Sequence, residues 1–163
     1  MTTANITAET LRQLLEYCPE TGHFFRRIRA GRSGVGVIAG TIESNGYVRI
    51  EISGRPYRAH RLAFLYMTDA WPLNEVDHID GNKTNNRWSN LRDVTDSVNL
   101  QNRKRATRRN KLGVLGVYFC KGKYLAGINI NGKRKHLGTF PTAEEAHLAY
   151  LDAKRMHHEG NTL

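Results

Sequence analysis

The sequence predicts an α+β fold, with a small antiparallel sheet and short helices in the first part and a three-stranded sheet packed on one helix in the last. Three observations predict it. Runs rich in aromatic and β-branched residues recur through residues 23–58 and again through 116–140, separated by glycine-bearing turns. Two stretches, HRLAFLYM from His60 and TAEEAHLAYLDAKRM from Thr142, switch to helical spacing. The composition, 39% hydrophobic and 25% charged over 163 residues, is that of a folded chain with room for one ordinary domain or two small ones.

Taken in order, TAETLRQLLEY places Leu11, Leu14 and Leu15 on one side of a short helix that the Pro-Glu-Thr-Gly of residues 19–22 ends. HFFRRI, GVIAGTI, GYVRIEISG and RPYRA follow as short strands. In YVRIEI, alternation puts Tyr47, Arg49 and Glu51 on a wet face and Val48, Ile50 and Ile52 on a core face. The helix from His60 packs its apolar residues inward and closes at Trp71 and Pro72. Near the end, GVYFC, KYLAGINI and KRKHLGTF are strands joined by turns at Lys121-Gly122 and Asn131-Gly132. Thr142 and Glu145 then form a capping box for a helix whose alanines permit close packing on that sheet.

Charge narrows the function. Twenty-five Lys and Arg against fifteen Asp and Glu give a net +10, which makes nucleic acid the leading partner. No long apolar run or amphipathic basic helix points to a membrane, and the opening MTTANITAETLRQLL lacks the features of a signal peptide, so a cytoplasmic location is expected. Cys18 and Cys120 form no CxxC pair and read as reduced thiols. The excess charge is concentrated: residues 1–100 carry twelve basic and eleven acidic side chains, residues 101–111 six and none, residues 112–163 seven and four. Arg103, Lys104, Arg105, Arg108, Arg109 and Lys111 repel one another in an extended connector, an arrangement suited to lying along phosphates.

The stretch VDHIDGNKTNNRWSNLRDVTDSVNLQNR, residues 76–103, is dense in asparagine, which favours turns, caps and polar sites over helix interiors. Hydrolysis of a phosphodiester needs a cation to neutralise the phosphate and a base to take a proton from water. Asp77 and His78 supply an oxygen ligand for a hard ion and an imidazole. Neighbours on a strand point to opposite sides, so a bend after them is required, and GNKTNN supplies one.

Asp77-His78, Asn90 twelve residues after the histidine and Asn99 nine residues further closely resemble the HNH nuclease signature in its His-Asn-Asn form. HRLAF, DHIDGNKTNN and NLRDVT resemble phage and intron-encoded HNH homing endonucleases in particular, over roughly residues 45–103. The resemblance implies a ββα-metal fold around one divalent ion. It implies His78 as general base, Asp77 and Asn99 as metal ligands, and Asn90 as the residue whose amide pins the loop. Asn99 stands where other members place a last histidine, which shifts preference toward Mg²⁺ or Mn²⁺ over zinc. Lys83, Arg87 and Arg92 are phosphate-binding candidates set against ordinary solvated charges. Asp80 is either an orienting carboxylate or an Asx turn. His60 reads as a capping or packing residue and Trp88 as a core anchor.

LGVLGVYF, KYLAGINI, GKRKHLGTF and TAEEAHLAYLDAKRMHHEG resemble the APETALA2-type DNA-binding domain, which reads the major groove with its sheet. Independently, alternation sends Tyr124, Ala126, Ile128 and Ile130 toward the helix and leaves Lys123, Leu125, Gly127 and Asn129 outside. Tyr118, Lys121, Lys123, Asn129, Arg134 and His136 are therefore the DNA-facing candidates. The expected organisation is residues 1–102 as helix, sheet and nuclease domain with its HNH core at about 60–102, residues 103–112 as basic linker, and residues 113–163 as DNA-binding domain. The expected function is metal-dependent cleavage of double-stranded DNA by a monomer that nicks, without an obligate protein partner, in a bacterial host's cytoplasm if phage-encoded. The alternative is a non-catalytic DNA-binding regulator with a degenerate HNH unit.

Overall fold

A computed structural model describes residues 6–103, 105–158 and 161. The fold is mixed α+β, built of short helices and small antiparallel sheets in two compact units, Met1–Thr95 and Asp96–Leu163.

In the first unit, helix α1 (Ala8–Leu14) is capped by Thr7, whose Oγ1 accepts a hydrogen bond from Thr10 N at 3.2 Å. The expected continuation of this helix through Leu15 is corrected: Leu15–Cys18 is strand β1, paired antiparallel with β2 (His23–Arg26), and residues 19–22 turn a hairpin. Leu15 and Tyr17 are both buried while Glu16 between them is exposed, so a period of two wins over the helical period at this point. Strands β3 (Thr41–Ile42), β4 (Val48–Ile52) and β5 (Arg55–Arg58) form a meander. Ile50 and Ile52 face the core and Glu51 faces water. Only Thr41 and Ile42 of the expected GVIAGTI strand join a sheet, and Val35, Val37 and Ile38 are exposed.

Helix α2 (Ala59–Thr68) buries Leu62, Ala63 and Leu65 against Leu11, Leu15, Phe24 and Ile50. This apolar cluster carries the two-stranded sheet of β6 (Glu75–His78) and β7 (Leu91–Val94) through Val76 and Leu91. A single 3₁₀ turn, Trp88–Asn90, leads into β7, and Trp88 meets Phe64 edge-on at 4.8 Å. The sheet is thereby fixed to this core, and the loop between its strands buries Asn86 and Asn90.

The second unit begins with helix α3 (Asp96–Gln101) and continues with β8 (Val117–Cys120), β9 (Lys123–Ile130), β10 (Lys133–Phe140) and helix α4 (Ala143–His157). The sheet order is β10-β9-β8, with tight hairpins in which Lys121 and Asn131 take positive φ ahead of a glycine. Thr142 caps α4 by accepting from Glu145 N at 3.3 Å. Val117, Ala126 and Ile128 of the sheet pack with Ala146, Tyr150 and Ala153 of the helix, so one sheet face is the core of this unit. Lys154 is fully buried and donates from Nζ to the Arg103 carbonyl at 2.8 Å, which ties the basic segment to α4.

Candidate active site

The pairing of β6 with β7 places Asp77 opposite Arg92 and His78 opposite Leu91. Opposite charges facing each other across a ladder attract, and here the fork closes: Arg92 donates from Nε at 3.0 Å and from Nη2 at 2.7 Å, both to Asp77 Oδ2. The sequence left Arg92 among the surface phosphate-binding candidates; the fold gives it this carboxylate, because the register that pairs them is invisible in the linear order. Asp77 is 7% exposed and His78 4% exposed, so the two sit within the protein at the strand end where the asparagine loop starts.

The loop of residues 79–90 is organised by its own side chains. Asn90 Oδ1 accepts from Asp80 N at 3.0 Å, and Asn90 Nδ2 donates to Asp80 Oδ1 at 3.0 Å and to the Asn85 carbonyl at 2.8 Å. Asp80 also accepts from Asn82 N at 2.7 Å, an Asx turn, and from Asn85 Nδ2 at 2.7 Å. Burial pushes the Asp80 carboxyl up, but the bonds donated by Asn85, Asn82 and Asn90 outweigh it and hold the group below the usual carboxylate range. Ile79 N donates to the Asn90 carbonyl and Gly81 N to the His78 carbonyl, which closes the loop directly behind His78. Of the sequence candidates, Asp77, His78, Asn90 and Asp80 thus form one connected cluster.

His78 is held neutral by burial, which lowers its pKa against the opposing pull of the Asn86 hydrogen bond and of Asp80 and Asp77. Its Nε2 lies 3.1 Å from Asn86 Oδ1. The ring is boxed by His60, edge-on at 5.2 Å, and by Tyr47 at 6.0 Å. His60 is 6% exposed, its Nδ1 has no hydrogen-bond partner among the described residues, and burial drives its pKa down to about 3. Lys83 Nζ sits 4.5 Å from the centre of the Tyr47 ring and donates to the Asn45 carbonyl at 3.0 Å, so this cation stands beside the cluster. Asn86 and Tyr47 were missed by sequence reasoning. Asn86 is one of six asparagines between residues 82 and 102, and nothing local separates it from the others.

Arg87 is exposed on the same loop. Asn99 lies on α3 in the second unit and is half-buried. Arg103, Arg105, Arg108, Arg109 and Lys111 are all exposed, and Lys104 lies outside the described residues. On the sheet of the second unit Lys121, Lys123, Asn129, Arg134 and His136 are exposed, and the Arg134 guanidinium lies over the Tyr118 ring at 4.4 Å. Gly127 lies beneath that pair, where a Cβ would be in van der Waals contact with Arg134 Nε and Tyr118 Oη at 3.4 Å. Within this unit a groove of about 950 Å³ is lined by Arg103, Arg109, Lys111, Tyr118, Asn129 and Arg134 among others.

Among the described residues no three His, Cys, Asp or Glu side chains gather into a metal cluster. Two carboxylates stand near His78 instead: Asp77, whose Oδ2 is held by Arg92, and Asp80, which Asn82, Asn85 and Asn90 bind. Carboxylate oxygens suit a hard ion that keeps most of its positions for water and phosphate, and do not suit a zinc site of several nitrogens and sulfurs. The residues present therefore fit a weakly held hard cation.

A family model described as HNH endonuclease matches residues 57–101, which contain α2, β6, the loop and β7. The DNA endonuclease I-HmuI of Bacillus phage SP01 is 30% identical over 134 residues, covering 74% of this chain and 77% of that protein. An uncharacterised HNH endonuclease of Acanthamoeba polyphaga mimivirus is 40% identical over 75 residues, covering 46% of this chain and 38% of its own length. A solved structure titled as DNA binding and cleavage by the HNH homing endonuclease I-HmuI overlaps 90% of this chain and 88% of that one, at 23% identity and a TM-score of 0.45. HNH nucleases generally use a divalent metal ion. With a relative of that identity spanning most of both chains, and the family's own segment falling on the Asp77-His78 strand and its loop, this chain belongs to the HNH endonuclease family and is a nuclease.

Proposed function

We propose that the chain is a homing-type DNA endonuclease that nicks one strand of double-stranded DNA with a single Mg²⁺ or Mn²⁺ ion, and that its second unit is an APETALA2-type domain that positions it on the target. The observation that carries the reading is a buried, neutral imidazole next to an oriented carboxylate: His78 at 4% exposure, its pKa lowered, one residue from Asp77 with Arg92 on Oδ2. A neutral imidazole can take a proton from water at ordinary pH, whereas a charged one cannot.

In this reading Asp77 and Asn99 hold the ion, which when bound neutralises the phosphate and stabilises the leaving oxygen. His78 accepts the proton of the attacking water as its oxygen bonds to phosphorus and the bond to the leaving oxygen breaks. Asn90 keeps the loop closed behind the base through its bonds to Asp80 and Asn85. Lys83 and Arg87 meet neighbouring phosphates. The exposed arginines of residues 103–111 track the backbone, and Tyr118, Lys121, Lys123, Asn129, Arg134 and His136 face the groove. One such centre attacks one strand at a time, which favours a monomer that nicks.

The test is conversion of supercoiled plasmid carrying the target to the open-circle form with Mg²⁺. His78→Ala should slow it by on the order of 10²–10⁴-fold, the usual contribution of a general base. Cleavage by His78→Ala at the native rate, or native cleavage undiminished by a chelator, would overturn the reading.

A further inference from the structure

The geometry assigns Asn86 as the positioning residue that sets the tautomer of His78, and assigns the β1–β2 hairpin as the clamp that holds Asn86. The inference rests on His78 being the base. Its starting point is a direction. Asn86 Nδ2 donates to the Thr84 carbonyl at 3.3 Å, so the amide turns its oxygen to His78, and Oδ1 lies 3.1 Å from Nε2. An amide oxygen accepts only, so Nε2 carries the hydrogen and the lone pair of the neutral ring is on Nδ1. Losing that acceptor removes what Asn86 contributes to keeping the hydrogen on Nε2, and a ring with its hydrogen on Nδ1 has no lone pair there to receive a proton.

Asn86 is held from a distant part of the chain. It is 2% exposed, and its carbonyl accepts a 2.7 Å hydrogen bond from the hydroxyl of Tyr17, itself buried on β1. Gly22, at the hairpin turn with φ +76°, lies so close that a Cβ would stand 2.3 Å from Asn86 C and 2.4 Å from Arg87 N. Trp88 N donates to the Pro19 carbonyl of the same turn at 3.0 Å. Three contacts from residues 17–22 thus grip residues 86–88, and all three come from outside the segment that matches the family model. A backbone carbonyl bonded to a buried phenol and a backbone face pressed on a glycine leave residue 86 little room to swing, which is what a fixed tautomer requires.

The test uses the full chain labelled with ¹⁵N in histidine, together with single-turnover nicking of target plasmid and gel-shift affinity for the same target. In the native protein the His78 ring should show the Nε2–H pattern. Asn86→Leu, close in size but without the acceptor, should lose that pattern and nick roughly 10- to 100-fold more slowly, the usual effect of an orienting partner, with affinity for target unchanged. Asn86→Asp keeps an acceptor and should keep both the pattern and a rate within a few-fold of native. Tyr17→Phe should lower the rate in the same direction as Asn86→Leu, and less. An Nδ1–H pattern in the native protein overturns the assignment without need of any variant, as does Asn86→Asp slowing as much as Asn86→Leu. If His78→Ala is inactive while Asn86→Leu nicks normally, this inference fails and the role of His78 stands. If His78→Ala is active, the role of His78 fails first.

Discussion

His60 is a costly residue to keep where it stands. A buried ring nitrogen without a partner carries a penalty of about 1–3 kcal/mol, yet the chain places His60, whose Nδ1 has none among the described residues, edge-on to the candidate base. Neutral, the ring completes an uncharged wall around His78 together with Tyr47; protonated, it would bring a positive charge beside the imidazole that must accept a proton. Its pKa of about 3 in the fold, against 6.5 for an ordinary histidine, means that the unfolded chain binds a proton in this interval and the folded chain does not. Stability therefore rises with pH across it: the contribution is complete above pH 6.5 and is lost as pH falls toward 3, at about 1.4 kcal/mol per unit. His60→Phe keeps a ring in the wall and removes this titration. Between pH 7 and pH 5 the native chain should lose about 2 kcal/mol more than His60→Phe in urea unfolding, and equal losses would show that His60 titrates normally.

At the scale of elements, the second unit offers a controlled comparison between two glycines. Both Gly116 and Gly132 have left-handed backbone, at φ +78° and +76°, so a side chain at either is strained. Only at Gly116 would the added Cβ collide, at 2.1 Å from the Tyr150 ring of α4. Gly132→Ala should cost about 1 kcal/mol and Gly116→Ala about 2–4 kcal/mol, read as the difference in unfolding midpoint between the two variants. Equal losses would mean that α4 shifts freely and that Tyr150 does not lock it to the sheet. This unit was legible in the sequence because its signals are local: two-residue hairpins, alternation along β9 and a capping box at Thr142. The first unit was legible only in part. Leu14-Leu15 suits either a helix or a strand, and the choice is made by Leu15 and Tyr17 burying on the period of two, with the Tyr17 hydroxyl reaching a carbonyl 69 residues away. The GVIAGTI segment has strand-forming residues, but Gly36 and Gly40 take positive φ and break the run, leaving Ile38 in a lone bridge to Phe25. In the candidate site, Asp77, His78 and Asn90 were singled out by a family resemblance that their spacing carries, whereas Asn86 and Arg92 make pairings that only the folded chain creates.

For the molecule as a whole, the distribution of charge governs how it would hold DNA. Between Asp96 and Glu144 lie 47 residues without a single Asp or Glu; they carry six basic side chains in residues 101–111 and five more at Lys121, Lys123, Lys133, Arg134 and Lys135. All the described members of this set are exposed, and the described salt bridges engage none of them. Such a surface gains its affinity by releasing condensed cations from phosphates, so binding must weaken as salt rises. With roughly six or more phosphates engaged, affinity for a target duplex should fall on the order of a thousandfold between 50 and 200 mM salt. Replacing Arg105, Arg108 and Arg109 together with glutamine should reduce the slope of log affinity against log salt by about one for each phosphate no longer neutralised, roughly three in all. Fluorescence anisotropy of a labelled duplex over a KCl series reads both quantities. In the proposed function these arginines meet phosphates and not base edges, so the triple variant should weaken target and unrelated DNA alike, leaving their ratio nearly unchanged. A slope that stays at the native value would remove the 103–111 segment from the DNA interface and leave the sheet face around Arg134 to carry it alone.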